Sequence, residues 1–453
     1  MQPIPANELL AGLTLAEPVS IHAVVTDSRK VEPGCVFVCF PGERVDGHNF
    51  AAGAYQNGAA YIIANHPVEG VPAERTVVVP DSALAMVRMA SNYRMLFSPR
   101  IIGVTGSVGK TTTKEFCYAV LSAFGNTLKT EGNQNNDIGV PNTLFRLENA
   151  TEYAVVEMGM DHAGEIERLT RCVRPSAGII TMIGVSHLEN LGTRENILKA
   201  KMEICAGLPD GAPLVLNADN DLLPTAQVPA RLRAVWFGME NEADVRAENV
   251  ETGAQGTTFT LVDREYGRFS VSIPTAGLHT VYDALSAYAA ATRLGLDPAT
   301  CAAALSRYQT TGMRQHIVEK GGVTVIEDCY NASPDSMKAA ISVLKALPNQ
   351  RKIALLGDML ELGDASEEGH RHTGEWVADA GIDVLVAYGP RSAAMAQAAQ
   401  ARGVTTVHCQ NAQEVLQCLQ QFVQPGDALL AKASHAMKLE DLLQDYYAGL
   451  PQA

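Results

Sequence analysis

What the chain lacks narrows its function before any motif is read. No stretch runs 18 apolar residues without interruption, so a membrane-spanning helix is not expected. The opening residues, MQPIPANELL, contain neither a basic segment nor a long apolar one, and the expectation is a cytoplasmic protein. Basic residues are outnumbered, 35 against 50 acidic, for a formal net charge of −15. Nucleic acid and anionic membrane are therefore poor candidates for the main partner, although a local basic site for phosphate is compatible with that total. CxxC spacing is absent among the nine cysteines, which leaves reduced core thiols rather than a zinc site as the reading. Cys35 and Cys39 share one face of the strand-like run CVFVC, where core side chains belong. There is no repeat, low-complexity run or long charged tail.

What is present has the balance of a globular protein, 47% hydrophobic and 19% charged, and a length of 453 residues implies about three domains. The chemistry centres on Arg100 to Glu115, RIIGVTGSVGKTTTKE. Ile101, Ile102 and Val104 read as a short buried strand, Gly106 and Gly109 bracket a loop, and Thr111 to Ala123 carries helical apolar spacing. A strand, a glycine loop and a helix N-terminus converge backbone N–H groups and a positive helix end on one point, which suits a polyphosphate. Lys110 would reach the outer phosphates and the Thr111 hydroxyl a Mg²⁺ ion. The standard pattern asks for glycine where this chain has Val104, so the loop is a variant of it.

The N-terminal part, to Phe97, alternates short strands (Ala23 to Thr26, Val36 to Phe40, Tyr61 to Ile63, Thr76 to Val79) with helices (Asn49 to Gln56, Ala83 to Met95) and reads as a small α/β domain. Polar loops after its strands, around Arg29 and Arg44, could meet an anionic ligand or could simply be solvated turns. In the central part, the turn EGNQNNDIGVP from Glu131 offers amide groups that only backbone, water or a ligand can satisfy. Two further strands follow: one ends at Glu157, placed like a Walker-B acid, and one leads to His187.

The helix expected from Thr193 to Cys205 holds two lysines that its geometry separates. Lys201 falls in the arc of Ile197, Ile204 and Leu208, whereas Lys199 lies four residues from both Glu195 and Glu203 and reads as a solvated ion-pair residue. Lys201 must snorkel or have a task. On an apolar face it would lose basicity, and a neutral amine can form a carbamate with carbon dioxide. The last part alternates strands (Val323 to Glu327, Lys352 to Leu356, Val384 to Tyr388, Thr405 to His408, Ala428 to Ala431) with helices, which implies a mostly parallel, doubly wound sheet with ligands at its strand ends. His370 and His372 read as an exposed loop rather than a metal site.

Taken in order, TDSRKVEPGCVFVCFPGERVDGHNF, TGSVGKTTTKE, EGNQNNDIGVPNTL, DCYNASPDSM and LLGDMLELG resemble the Mur ligase family along essentially the whole chain. The resemblance implies three domains: residues 1–97, a small α/β domain binding a UDP-linked substrate; 98–311, a central P-loop ATP-binding domain; and 312–453, a Rossmann-like domain binding the incoming amine. The DxYNAxPxSM-like run and the asparagine turn favour the branch that adds D-alanyl-D-alanine to UDP-N-acetylmuramoyl-tripeptide in peptidoglycan synthesis. A sister or folylpolyglutamate-type ligase and a non-catalytic nucleotide-binding subunit remain the alternatives.

In the terms of that family, Gly106, Ser107, Val108, Gly109, Lys110, Thr111 and Thr112 hold ATP, with His279, Asp283, Asp328, Tyr330 and Asn331 near the nucleotide. Thr111 and Glu157 serve one Mg²⁺, while Glu157, His187 and carbamylated Lys201 surround a second. Arg314 matches the hinge arginine that reaches the γ-phosphate. Ser28, Arg29, Gly42, Asp46 and His48 fall in loops that resemble UDP contacts, and Asn133, Asn135 and Asn136 are expected at the substrate. The expectation is a monomer that binds neither nucleic acid nor membrane. Two positions depart from the family: Asp283 stands where an asparagine is common and, ionised, could only accept, and His435 stands in Lys432-Ala433-Ser434-His435 where an arginine is common.

Overall fold

The computed structural model of the chain describes residues 1–450 except 43, 44, 254, 255, 311 and 313. Arg44, and Met313 of the link to the last part, thus lie outside the described residues. The chain forms three α/β segments, each on its own parallel-rich sheet.

In the first segment four short parallel strands, Val24–Val25, Val36–Val38, Tyr61–Ala64 and Thr76–Val78, lie side by side. Alternation sorts their side chains between two cores. Cys35, Phe37 and Cys39 join Ile62 in a small core on one face, as the CVFVC pattern predicts. Val36, Val38 and Ile63 face the other way, into a core that continues through helix Ser82–Arg94 to Ile101, Leu144, Ile166, Ile197 and Leu232 of the central segment. The segment's own helix covers that face of the sheet, and the helix's outer side packs on the central helices Gly139–Leu144 and Glu165–Val173. Tyr93 fixes that junction by donating its hydroxyl to the Leu147 carbonyl at 2.8 Å.

The central sheet places the strand Arg100–Thr105 between Ala177–Ile180 and Tyr153–Glu157, all parallel, with Val104 opposite Glu157 and Thr105 opposite Ile180. That register brings the glycine loop, Glu157 and the turn to His187 to one edge of the sheet, where open α/β sheets bind ligands. Parallel pairing continues to Val245–Gly253, after which Gly256–Asp263 and Gly267–Ile273 close the sheet antiparallel.

The last segment is the doubly wound sheet the alternation predicts: Val323–Glu327, Ala428–Lys432, Lys352–Gly357, Val384–Tyr388 and Thr405–Cys409 pair in parallel, and His316–Lys320 joins antiparallel at the edge. Its helix Pro334–Ala346 starts against the central segment. There the Asp335 carboxylate packs on Gly184, and Val185 packs on the last segment's core.

Two sequence expectations fail here. His370 and His372 lie in the helix Ser366–Asp379, not in an exposed loop. His370 is fully buried and accepts from the Met359 N–H at 3.0 Å, so it ties the helix to a strand end. Lys199 is solvated but makes no ion pair among the described residues, because Glu203 is turned away to accept from the N–H groups of Gly164 and Glu167 and cap the helix Glu165–Val173. All nine cysteines are free and buried. Among the described residues no helix is long and apolar enough to cross a membrane.

Candidate active site

The loop after Arg100–Thr105 requires glycine at two positions. Gly106 has φ +152° and a Cβ there would meet Thr181 Oγ1 at 1.8 Å; Gly109 has φ +89° and a Cβ would meet Asp283 Oδ1 at 2.6 Å. Backbone groups are thereby held against neighbours that a side chain would displace. The Ser107 N–H donates to the Met182 carbonyl and Thr181 Oγ1 donates to the Val108 carbonyl at 2.5 Å, so the loop is pinned from the adjacent strand. The helix Lys110–Leu121 begins immediately, its first N–H groups aimed at the loop. Lys110 Nζ donates to the Gly106 carbonyl at 2.8 Å, and burial holds its ammonium below the usual lysine range, with Glu157 opposing.

Glu157 is 1% exposed at its strand end. It accepts from Thr111 Oγ1 at 2.9 Å and from Asn135 Nδ2 at 2.8 Å, with Lys114 Nζ 3.9 Å away. A hydroxyl and a carboxylate gathered beside a phosphate loop are the hard donors Mg²⁺ takes when phosphate oxygens and water complete its shell. Among the described residues no cluster of three His, Cys, Asp or Glu could hold a metal ion by itself.

His187 sits at φ +63°, a conformation a β-carbon resists and a functional site tolerates. Its Nδ1 is buried without a hydrogen bond, 3.1 Å from Asp161 Oδ1 but off the bonding line, and 3.7 Å from Glu361 of the last segment. Burial, then Lys110 and Lys201, push the imidazole down to about 3, so it is neutral and free to act as an electron-pair donor. Lys201 is 1% exposed, as the helix periodicity predicts, and makes no hydrogen bond or ion pair among the described residues. Burial and then Lys110 hold its amine well below the usual range.

From the last segment, Lys432 donates to Asp328 Oδ2 and to the Asn331 carbonyl, both at 2.7 Å. The Arg314 guanidinium lies over the Tyr330 ring, 4.0 Å from its centre, and the His279 ring meets Gln315 at 2.6 Å. These groups surround a cavity of about 630 Å³ whose wall includes Ser107, Val108, Gly109, Lys110, Thr112, the three asparagines Asn133, Asn135 and Asn136, Glu157, His187, His279, Asp283, Arg314, Asp328, Tyr330 and Asn331. Its size and its convergent polar groups are those of a small-molecule site.

Asp283 is expected to be acceptor-only when ionised, and its surroundings bear on which form it takes. It is 6% exposed, and burial lifts it to about 8 against the opposing Thr113 hydrogen bond, so at neutral pH it is an acid that both donates and accepts. The N-terminal loops are not brought to the cavity, whose wall from that segment is Ala83. There Arg29 pairs with Asp27 in the open, Ser28 lies in the same turn, and Gly42 packs on the Val45 carbonyl. Asp46 holds His48 at 2.6 Å, and His48 Nε2 accepts from the Asn65 N–H. His435 stands at the surface beside Tyr330, their ring centres 5.7 Å apart.

Sequence reasoning missed Lys114, Asp161 and Glu361. Lys114 follows Lys110 by one helical turn and Asp161 follows Glu157 beyond the same strand, signals that were readable; Glu361 arrives from a distant loop and left none.

Family models match the chain in three pieces: the Mur ligase family catalytic domain at residues 20–94, the Mur ligase middle domain at 104–291 and the Mur ligase glutamate ligase domain at 313–435. The UDP-N-acetylmuramoyl-tripeptide--D-alanyl-D-alanine ligase of Bacillus subtilis (strain 168) is 38% identical over 97% of this chain and 96% of its own. Among solved structures, MurF from Acinetobacter baumannii has a TM-score of 0.90 at 32% identity, covering 99% of both chains. MurF ligase from Thermotoga maritima in complex with ADP has a TM-score of 0.83 at 29% identity, covering 94% of this chain and 97% of that one. With likeness of this degree over nearly its full length, the chain belongs to the Mur ligase family.

Proposed function

We propose that the chain is the ATP-dependent ligase that joins D-alanyl-D-alanine to the terminal carboxyl of UDP-N-acetylmuramoyl-tripeptide, the activity its curated relative and structural neighbours are named for. The observation that carries the reading is the single cavity in which the glycine loop and Glu157 of the central segment face Arg314, Asp328 and Lys432 of the last one. A phosphoryl donor on one wall and an amine delivered from the other is the arrangement amide ligation needs.

In this reading residues 1–97 take the UDP moiety through Ser28, Arg29, Gly42, Asp46 and His48, residues 98–311 take ATP, and residues 312–453 bring the dipeptide. The substrate carboxylate attacks the γ-phosphorus, the bond to ADP breaks, and an acyl phosphate forms. The free amine then attacks the acyl carbon, loses a proton, and expels phosphate from the tetrahedral intermediate. Backbone N–H groups from Gly106 to Thr112 orient the phosphates, and Lys110 and Arg314 neutralise charge on the transferred group. Thr111 and Glu157 would hold Mg²⁺, which supplies charge neutralisation along the phosphates. Asn135 orients Glu157, and Asn133 and Asn136, on the same cavity wall, meet the acceptor substrate. We read the reaction as cytoplasmic because the substrates it is proposed to use are nucleotide-linked.

We further read Lys201 as the site of a carbamate. A buried neutral amine beside the Lys110 ammonium gains a favourable partner when it becomes an anion, and Glu157 and His187 would hold a second metal ion with it. Carbon-13 bicarbonate should give a protein carbamate resonance that Lys201→Ala abolishes and Lys199→Ala keeps; its absence from the native protein overturns this assignment.

The reaction itself is tested by phosphate release from ATP with purified protein, UDP-muramoyl tripeptide and D-alanyl-D-alanine. Release should require all three substrates. No release above background with either a lysine or a diaminopimelate tripeptide overturns the reading.

A further inference from the structure

The helix Leu278–Arg293 packs along the phosphate-loop helix Lys110–Leu121, and Asp283 stands at their contact. Oδ1 accepts from Thr113 Oγ1 at 3.0 Å and rests against Gly109, close enough that a Cβ there would lie 2.6 Å away. Oδ2 has no protein partner among the described residues, and the residue lines the cavity.

The charged and titratable groups that face it are few. The phosphate-loop helix presents the Thr113 hydroxyl and the Cys117 thiol. Tyr308, stacked on Phe116 with ring centres 4.1 Å apart, presents a phenol. Arg314 contributes a positive charge but is spread over Tyr330 and forms no salt bridge with Asp283 among the described residues. Beneath the helix the central strands present Val215, Val235, Phe237 and Val245.

A loop that holds a polyphosphate therefore has a carboxyl group packed on its own glycine, with no paired cation between them. Ionised, that group would repel the ligand through a low-dielectric gap; protonated, it offers an O–H from Oδ2 to an acceptor in the cavity. We propose that nucleotide binding to this chain is coupled to protonation of Asp283, the carboxylic acid being the form that admits the nucleotide and donates a hydrogen bond to it.

This rests on the cavity being a nucleotide site. Burial sets the midpoint at about 8, so the acid form prevails at neutral pH and is lost above it. By linkage, affinity is constant below that pH and falls tenfold per unit above it.

The test is calorimetric titration of the full chain with Mg-ADP, whose terminal phosphate is already ionised above pH 7. Between pH 7.0 and 9.3 Kd should rise about twentyfold, and at pH 9.3 binding should take up nearly one proton, read from buffers of different ionisation enthalpy. Asp283→Asn should cut the change in Kd to less than about threefold and abolish the uptake. This arm separates Asp283 from Lys110, whose ammonium is also held below its usual range. Should Asp283→Asn not fold, Asp283→Ser takes its place in the same comparison of slope and proton uptake. A flat native profile, absent uptake, or the same slope in Asp283→Asn overturns the coupling. Failure of Mg-ADP to bind at pH 7.0 overturns the nucleotide reading itself.

Discussion

Lys432 is 3% exposed and its ammonium lies 2.7 Å from both Asp328 Oδ2 and the Asn331 carbonyl; Lys201 is 1% exposed and has neither kind of partner among the described residues. Both are buried lysines near one cavity, yet only the first is completed by its own protein. A buried ammonium with a carboxylate and a carbonyl is a structural charge, costly to disturb. A buried amine without them gives up its proton instead and becomes a nucleophile or a ligand. Burial alone marks neither; what distinguishes them is whether the fold supplies the counter-charge or leaves it to the chemistry.

The comparison breaks first on turnover. Lys201→Met should lower phosphate release on the order of a thousandfold, and a variant that retains a third of native activity would make Lys201 merely a core residue. Next in size is stability at the paired site. Lys432→Met leaves Asp328 buried and alone, and denaturant unfolding should show a loss of about 3–5 kcal/mol, most of it recovered in the double variant with Asp328→Leu.

For Lys201 the sign reverses. Its folded pKa lies below its unfolded value, so the unfolded chain binds more protons and native stability rises with pH between the two. In carbon dioxide-free buffer Lys201→Met should therefore raise Tm at pH 7 by about 2 °C or more, with the gain shrinking towards pH 10; a lowered Tm at pH 7 would contradict an uncharged lysine. Smaller still, Glu203→Ala removes the acceptor for two helix-end N–H groups and should cost about 1.5 kcal/mol. Lys199→Ala should stay within about 0.5 kcal/mol of the native stability and leave turnover unchanged.

What was legible in the sequence was local. The glycine loop, its strand and its helix follow from consecutive residues, and helical period alone separates Lys201 from Lys199. What the sequence withheld was tertiary. Glu203 sits at ion-pair spacing from Lys199, yet the N–H groups of another helix hold it. His370 looks exposed among charged neighbours until a strand end packs on it. Asp283 reads as a charged departure from a family pattern, and only its burial against the loop makes it an acid. Asp161 and Glu361 approach His187 from different segments, a meeting that no spacing encodes.

The apolar core that joins Ile4, Val36 and Tyr93 to Leu144, Ile166 and Leu232 sets a timetable for synthesis. When Phe97 leaves the ribosome, the central helices that cover the outer face of the helix Ser82–Arg94 are not yet made. At roughly ten residues per second, on the order of ten seconds pass before Leu232 follows. During that interval the nascent chain carries an uncovered apolar helix face, a standing target for holding chaperones. The same continuity means that the first segment cannot be exchanged for that of a sister ligase without refitting the central helices beneath it.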